Sequence, residues 1–183
     1  MTSKTKLLTA NDLLRLHSEG VRGELIRGVL FQTMPTGQEH GAIAANLSFE
    51  LLSYIRPRRL GLVTTSDSGV LLERDPDTVR EPDVAFFSTS RGGAQPTTGY
   101  AEQSPDLVVE IVSPSDESER VAAKATMWLS YGVRLVWVVH PDARNVDVHR
   151  PGLPIETISE DGHLDGHDVL PGFSCPVSSI FGS

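Results

Sequence analysis

Pro105-Asp106-Leu107-Val108-Val109-Glu110-Ile111-Val112-Ser113-Pro114 is the stretch from which the rest of the chain can be read. From Leu107 to Val112 it is an almost continuous β-branched run, the pattern of a strand covered on both faces inside a sheet. Side chains alternate along a strand, so Glu110 shares a face with Val108 and Val112, while Val109 and Ile111 point the other way. An ionised carboxylate in such a run is expensive to bury unless something compensates it. A metal ion, an arginine, or a position at the open end of the sheet would serve. A structural ion pair with an arginine is the plain alternative to a functional role.

Downstream, Glu117 to Tyr131 reads as a helix stopped by Gly132, and Leu135 to Val139 as another apolar strand. That strand–helix–strand unit predicts a mixed sheet with a crossover helix. Upstream, Thr9 to His17 is a short helix whose Thr9 and Asp12 have the spacing of a capping box, with Gly20 ending it. Glu24 to Ile26 and Val29 to Thr33 are two strands around an Arg27-Gly28 turn. A longer helix runs from about Gln38 to Ile55, with Ile43, Leu47, Leu51 and Ile55 as its apolar stripe. Strands follow at Leu62 to Thr65, Gly69 to Leu72 and Val84 to Phe87, then a Gly-, Thr- and Pro-rich loop from Ser88 to Ser104. Short strands and turns finish the chain, with Asp168 to Phe173 leading into a Pro-Gly turn. No repeat and no boundary interrupts the pattern, so residues 1–183 are expected to form one α/β domain.

Asp83 is the natural partner of Glu110: it follows Pro82 and opens an apolar strand, at a strand end where a ligand can be reached. Asp106, in a second Pro-Asp pair, opens the Glu110 strand itself and is a rival for the same role. Hard divalent cations such as Mg2+ favour oxygen ligands, typically one or two carboxylates plus substrate phosphates. Lys124 supplies a cation. The chain has lysines only at positions 4, 6 and 124 against thirteen arginines, yet keeps one of them inside this helix. A lysine is a compact charge of movable pKa, suited to polarising water or stabilising charge that develops on a phosphorus centre; an ordinary exposed lysine is the alternative. His40 lies on the inward stripe with Ile43, Ala44 and Leu47, as a core histidine or a catalytic one. Tyr131 falls two helical turns after Lys124 and either joins it or packs on the sheet. Glu24 shares a strand face with Ile26, and its membership of a metal site is open. His163 and His167 lie in a polar, Gly-rich tail without partners for zinc and read as solvated.

Composition narrows the class. The single cysteine, Cys175, excludes an internal disulfide. The first residues are polar and no apolar run approaches a membrane span, so a cytoplasmic protein without a membrane partner is the default expectation. The net charge of -8 argues against a large nucleic-acid footprint, which is normally basic. The one dense basic cluster is Arg56, Arg58 and Arg59, at a helix end that either is simply solvated or touches phosphate.

Taken together, the Pro105–Ser115 stretch, Lys124, Tyr131-Gly132-Val133 and Val136-Trp137-Val138-Val139 resemble the Uma-type endonuclease family. Glu24-Leu25-Ile26-Arg27-Gly28, His40-Gly41, Arg80-Glu81-Pro82-Asp83-Val84 and Asp168-Val169-Leu170-Pro171-Gly172-Phe173 are similar to its other motifs. The resemblance spans about residues 10 to 180 and places the chain near the restriction-endonuclease-like PD-(D/E)XK superfamily. It implies a restriction-endonuclease-like mixed β-sheet flanked by helices, with Asp83 and Glu110 holding Mg2+ or Mn2+ and Glu24 as an additional acid. The superfamily's lysine commonly stands two residues after the second acid. Here that position is Val112, and the resemblance implies that Lys124 on the next helix takes the role. Arg27 and His140 stand where the family frequently has aspartate. The implied activity is hydrolysis of DNA phosphodiester bonds; the competing expectation is a non-catalytic protein using the fold for assembly or nucleic-acid binding. A homodimer would pool two Arg56–Arg59 clusters. Asp83, Glu110 and Glu24, converging without their cation, would be expected to repel one another.

Overall fold

The computed structural model describes residues 7–65, 67–92, 95–114 and 116–182, with Ser118 described by its backbone alone. Its elements are α1 (Ala10–Ser18), β1 (Gly23–Ile26), β2 (Val29–Gln32), α2 (Gln38–Arg58), β3 (Gly61–Thr65), β4 (Val70–Glu73), β5 (Thr78–Arg80) and β6 (Val84–Ser88). They continue with β7 (Leu107–Ile111), α3 (Ser118–Ser130), β8 (Leu135–His140), β9 (Asn145–His149), β10 (Glu156–Ser159), β11 (His163–Asp165), β12 (Ser174–Pro176) and α4 (Val177–Phe181). They group into two compact units.

The first unit comprises the chain up to Pro35 together with Asp67–Glu81 and Thr97–Ser104. Its helix α1 begins with the capping box read in the sequence: Thr9 Oγ1 accepts from the Asp12 amide, and the Asp12 carboxylate accepts from the Thr9 amide. Four antiparallel strands follow in the order β2-β1-β5-β4. The β1–β2 turn places Arg27 and Gly28 at φ of 50° and 77°, the doubly left-handed conformation whose twist suits a two-residue hairpin. Ala10, Leu13, Leu25, Leu71 and Val79 form its core. The strand β5 was not foreseen: Thr78-Val79-Arg80 is too short to show a period.

The second unit comprises Thr36–Ser66, Pro82–Pro96 and Pro105–Ser183. Its six strands run β10-β9-β8-β7-β6-β3, and only β7 and β8 are parallel. Parallel neighbours need a crossover, and α3 supplies it. All five residues of β7 are buried, as the unbroken apolar run required. One sheet face, through Val84, Phe86, Leu107, Val109, Ile111, Leu135, Trp137 and Val139, shares a core with Ile43, Leu47, Leu51 and Ile55 of α2. The helix runs one turn further than expected, through Pro57, before Arg59 adopts a left-handed cap at φ 53°. None of the described helices is long and apolar enough to cross a membrane.

The register of α2 carries a direct test. Leu47 is completely buried, whereas Phe49, two residues on, is 68% exposed. Leu47→Ala is expected to lose about 2–5 kcal/mol in urea unfolding through lost burial and cavity formation. Phe49→Ala should stay within about 0.5 kcal/mol of wild type. Equal losses would place the stripe on the wrong face.

Candidate active site

Three strand ends meet at one edge of the six-stranded sheet. β6 runs antiparallel to β7 with Val84 opposite Val109, so the start of β6 lies beside the end of β7. Asp83, just before β6, therefore meets Ile111: its Oδ2 accepts the Ile111 amide at 2.7 Å. This bond fixes the carboxylate next to the residue that follows Glu110. His40, in the first turn of α2 and 9% exposed, brings Nε2 to 3.2 Å from the same Oδ2. The hydrogen bond to Asp83 raises the His40 pKa above its ordinary value. The charge of Asp83, the Ile111 backbone and the charge of Glu110 add to that effect, while burial opposes it. His40 is inward-facing and hydrogen-bonded, as expected of a core histidine, and its partner is the Asp83 carboxylate.

On the other face of β7, Glu110 points toward α3. Its Oε2 accepts from Lys124 Nζ at 2.7 Å and its Oε1 from Trp128 Nε1 at 2.6 Å. Lys124 and Trp128 are four residues apart on α3 and so occupy one face of the helix. Lys124 keeps 26% of its side chain exposed while Trp128 is fully buried. A buried carboxylate with two strong donors is compensated in charge and in hydrogen bonding. The arginine considered as the alternative partner of Glu110 is thus replaced by a lysine and a tryptophan. Trp128 was missed in the sequence, although its spacing from the lone helical lysine was visible there.

The remaining candidates are dispersed. Asp106 precedes the opposite end of β7, four residues or roughly 13 Å from Glu110 along an extended chain. It is wholly buried, accepts from the Ser88 amide at 2.8 Å, and pairs with Arg91 at 3.1 Å and Arg134 at 3.6 Å. It ties β6, β7 and the segment before β8 together. Tyr131 is the C-cap of α3. Glu24 belongs to the first unit, where Oε1 accepts from the Glu81 amide at 2.8 Å and Oε2 lies 3.1 Å from Arg80 Nε. His163 is exposed on β11, and His167 is beside Asp165 and Arg150. The expected cluster of mutually repelling acids is also corrected: Asp83, Glu110 and Glu24 each have a cationic partner, respectively His40, Lys124 and Arg80.

Two measurements follow from these contacts. The raised His40 pKa means that its stabilisation is full below the unfolded value near 6.5 and fades as pH rises through the folded value. In chelator, the melting-temperature gap between wild type and Asp83→Asn should therefore be wider at pH 6 than at pH 9; a gap independent of pH would remove the ion pair. The second measurement compares the two tryptophans of the unit, both fully buried. Among the described residues, Trp137 Nε1 has no hydrogen-bond partner, whereas Trp128 Nε1 serves Glu110. Trp128→Phe should cost about 1.5–3 kcal/mol more than Trp137→Phe, the worth of a hydrogen bond to a charged group.

A solved structure shares this arrangement of elements. The chain is similar to a crystal structure of a putative nuclease belonging to DUF820 from Anabaena variabilis, at 23% identity and a TM-score of 0.78, covering 95% of this chain and 97% of that one. The type IIG restriction endonuclease BpuSI matches at 15% identity and a TM-score of 0.38, over 85% of this chain and 17% of that one. No curated protein sequence matches the chain. The first likeness establishes that the two chains share a fold. The family model described as Uma2, putative restriction endonuclease, matches residues 10–178, and the chain belongs to that family.

Proposed function

We propose that the protein hydrolyses phosphodiester bonds in DNA with Mg2+ or Mn2+ held by Asp83 and Glu110. The observation that supports this reading is that Asp83, bonded to the Ile111 amide, and Glu110, bonded to Lys124, stand on adjoining strands at the same end of the sheet. The donor set suits a hard cation, which prefers carboxylate oxygen. Among the described residues no group of three or more His, Cys, Asp or Glu is arranged to hold a metal. Two carboxylates nevertheless fit an ion that keeps several waters and takes its remaining ligands from a substrate phosphate.

Such an ion, when bound, lowers the pKa of a coordinated water and neutralises phosphate charge. The chain's own residues do the positioning. The Ile111 amide and His40 hold Asp83 in place, and Trp128 holds Glu110 by the oxygen that Lys124 does not use. Lys124, partly exposed and anchored by Glu110, presents an ammonium that orients the attacking water or donates to an oxygen gaining charge. His40, charged at low pH, sets a positive charge beside the Asp83 carboxylate in the absence of substrate. A second reading, a non-catalytic protein that uses the fold for assembly or nucleic-acid binding, is favoured by the net charge of -8.

Incubation with supercoiled plasmid and end-labelled single-stranded DNA in Mg2+ or Mn2+ separates the two. Cleavage is expected, and Glu110→Gln or Lys124→Ala should slow it by about 10²-fold or more. Cleavage by Glu110→Gln at the wild-type rate would place the chemistry elsewhere. A wild type inert toward every nucleic acid offered, with either metal, would leave the non-catalytic reading.

A further inference from the structure

A row of registered residues, polar but for Val138, continues from Glu110 across the sheet. Glu110 is registered with Val138, Val138 with Asp147, and Asp147 with Thr157. Residues directly opposed on neighbouring strands share a face, so all four lie on the face that Glu110 presents to α3. His140 is two residues beyond Val138 and returns to that same face. β7 and β8 are parallel, and the Val112 amide still bonds to Val139 O, so the paired ladder carries His140 to the edge where Glu110 and Asp83 lie. From the register, the Cα atoms of Glu110 and His140 are roughly 8 Å apart.

The chemistry of this group is set by its neighbours. His140 Nε2 is 3.0 Å from Asp147 Oδ2, and Thr157 Oγ1 donates to Asp147 Oδ1 at 2.5 Å. A carboxylate only accepts, so Nε2 carries a proton and the ring is held in one orientation. Among the described residues nothing bonds His140 Nδ1. The pair is open to solvent, with 30% of the His140 and 27% of the Asp147 side chain exposed. His149, two residues beyond Asp147 on the same strand face, is buried, and that burial lowers its pKa. It therefore adds no competing cation. A surface ion pair needs neither the second anchor from Thr157 nor a place beside a candidate active site.

We propose that His140, oriented by Asp147, contacts the nucleic-acid backbone through Nδ1, at a phosphate neighbouring the one that meets Glu110 and Lys124. The inference rests on the phosphodiesterase reading above. Phosphates of one strand advance about 3.4 Å along a duplex axis, and adjacent β-strands lie about 4.8 Å apart. With Cα atoms roughly 8 Å apart, His140 is placed to reach a phosphate beside the one that meets Glu110. With Nε2–H given to Asp147, a phosphate contact at Nδ1 requires the doubly protonated ring, which donates from both nitrogens. It is a substrate-contacting residue, and Asp147 is a positioning residue acting through it. In a chain with a net charge of -8, this supplies cationic character where the substrate needs it.

The test is binding of a fluorescein-labelled oligonucleotide in Ca2+, followed by anisotropy, with a scan that replaces one phosphate at a time by an uncharged methylphosphonate. His140→Ala should weaken binding about tenfold, as expected for loss of a hydrogen bond to a charged group. His140→Gln, which fills the same space, should lose as much, and His140→Arg should recover most of it. One methylphosphonate position should weaken wild type yet cost His140→Ala nothing further, a coupling that a purely structural role does not produce. Asp147→Asn should fall between. In cleavage, His140→Ala should raise KM while kcat stays within about threefold of wild type. A wild type that binds and cuts DNA while His140→Ala and His140→Gln match it in affinity overturns this inference alone. A wild type that binds no DNA overturns it together with the proposed function.

Discussion

A carboxylate in the middle of a strand buried on both faces has to be compensated before that strand can take its place in a sheet, and the bonds from Lys124 and Trp128 to Glu110 do this. Left uncompensated, the charge would cost several kcal/mol, a large fraction of the stability of an ordinary domain. Both donors come from α3, the helix that also links β7 to β8. The same contact therefore satisfies the acid and fixes the rotation of α3 on the sheet. It also brings the helical lysine to the acid. Trp128 is the more constrained partner: it is fully buried, and its indole N–H would itself be orphaned without the carboxylate.

The rest of the site follows from strand direction. β7 and β8 point the same way, and β6 points the opposite way. The ends of β7 and β8 and the start of β6 consequently fall on one sheet edge, with Ile111, His140 and Asp83 at or beside those ends. At the other end of β7 the chain uses its charges differently. Asp106 is completely buried between two arginines and the Ser88 amide, which closes that end structurally. Two Pro-Asp pairs that look equivalent in sequence thus have different surroundings because they stand at opposite edges of one sheet.

Local signals were legible and long-range partners were not. The Thr9–Asp12 cap, the α2 stripe and the strand–helix–strand unit around Glu110 each depend on neighbours within a few residues, and the structure bears them out. The pairing of Asp83 with the Ile111 amide joins residues 28 apart and depends on a register no local pattern encodes. His40 was ambiguous for the same reason: helical spacing turns it inward, but only the tertiary fold supplies the acid it meets. Trp128 was hidden by its own chemistry, since an indole on an apolar helix face reads as core until its N–H is considered. The division into two units was illegible because the first is assembled from three separated stretches, of which 67–81 and 97–104 are too short to show a core of their own.

The ion pairs at the edge also change how its charge should be understood. Viewed as bare acids, Asp83 and Glu110 would repel and weaken the fold. In the structure His40 and Lys124 stand against them, so with His40 protonated the four groups sum to zero before any ligand arrives. Under the hydrolytic reading, a divalent ion brings that sum to two positive charges, and a phosphodiester with its neighbouring phosphate returns it to zero. Metal and nucleic acid then each raise the other's affinity, because each supplies the charge that the other lacks, and linkage makes that coupling reciprocal. A site built this way has little reason to hold a metal tightly on its own. Under that reading, the small number of acids at the edge suits metal binding that is assisted by substrate.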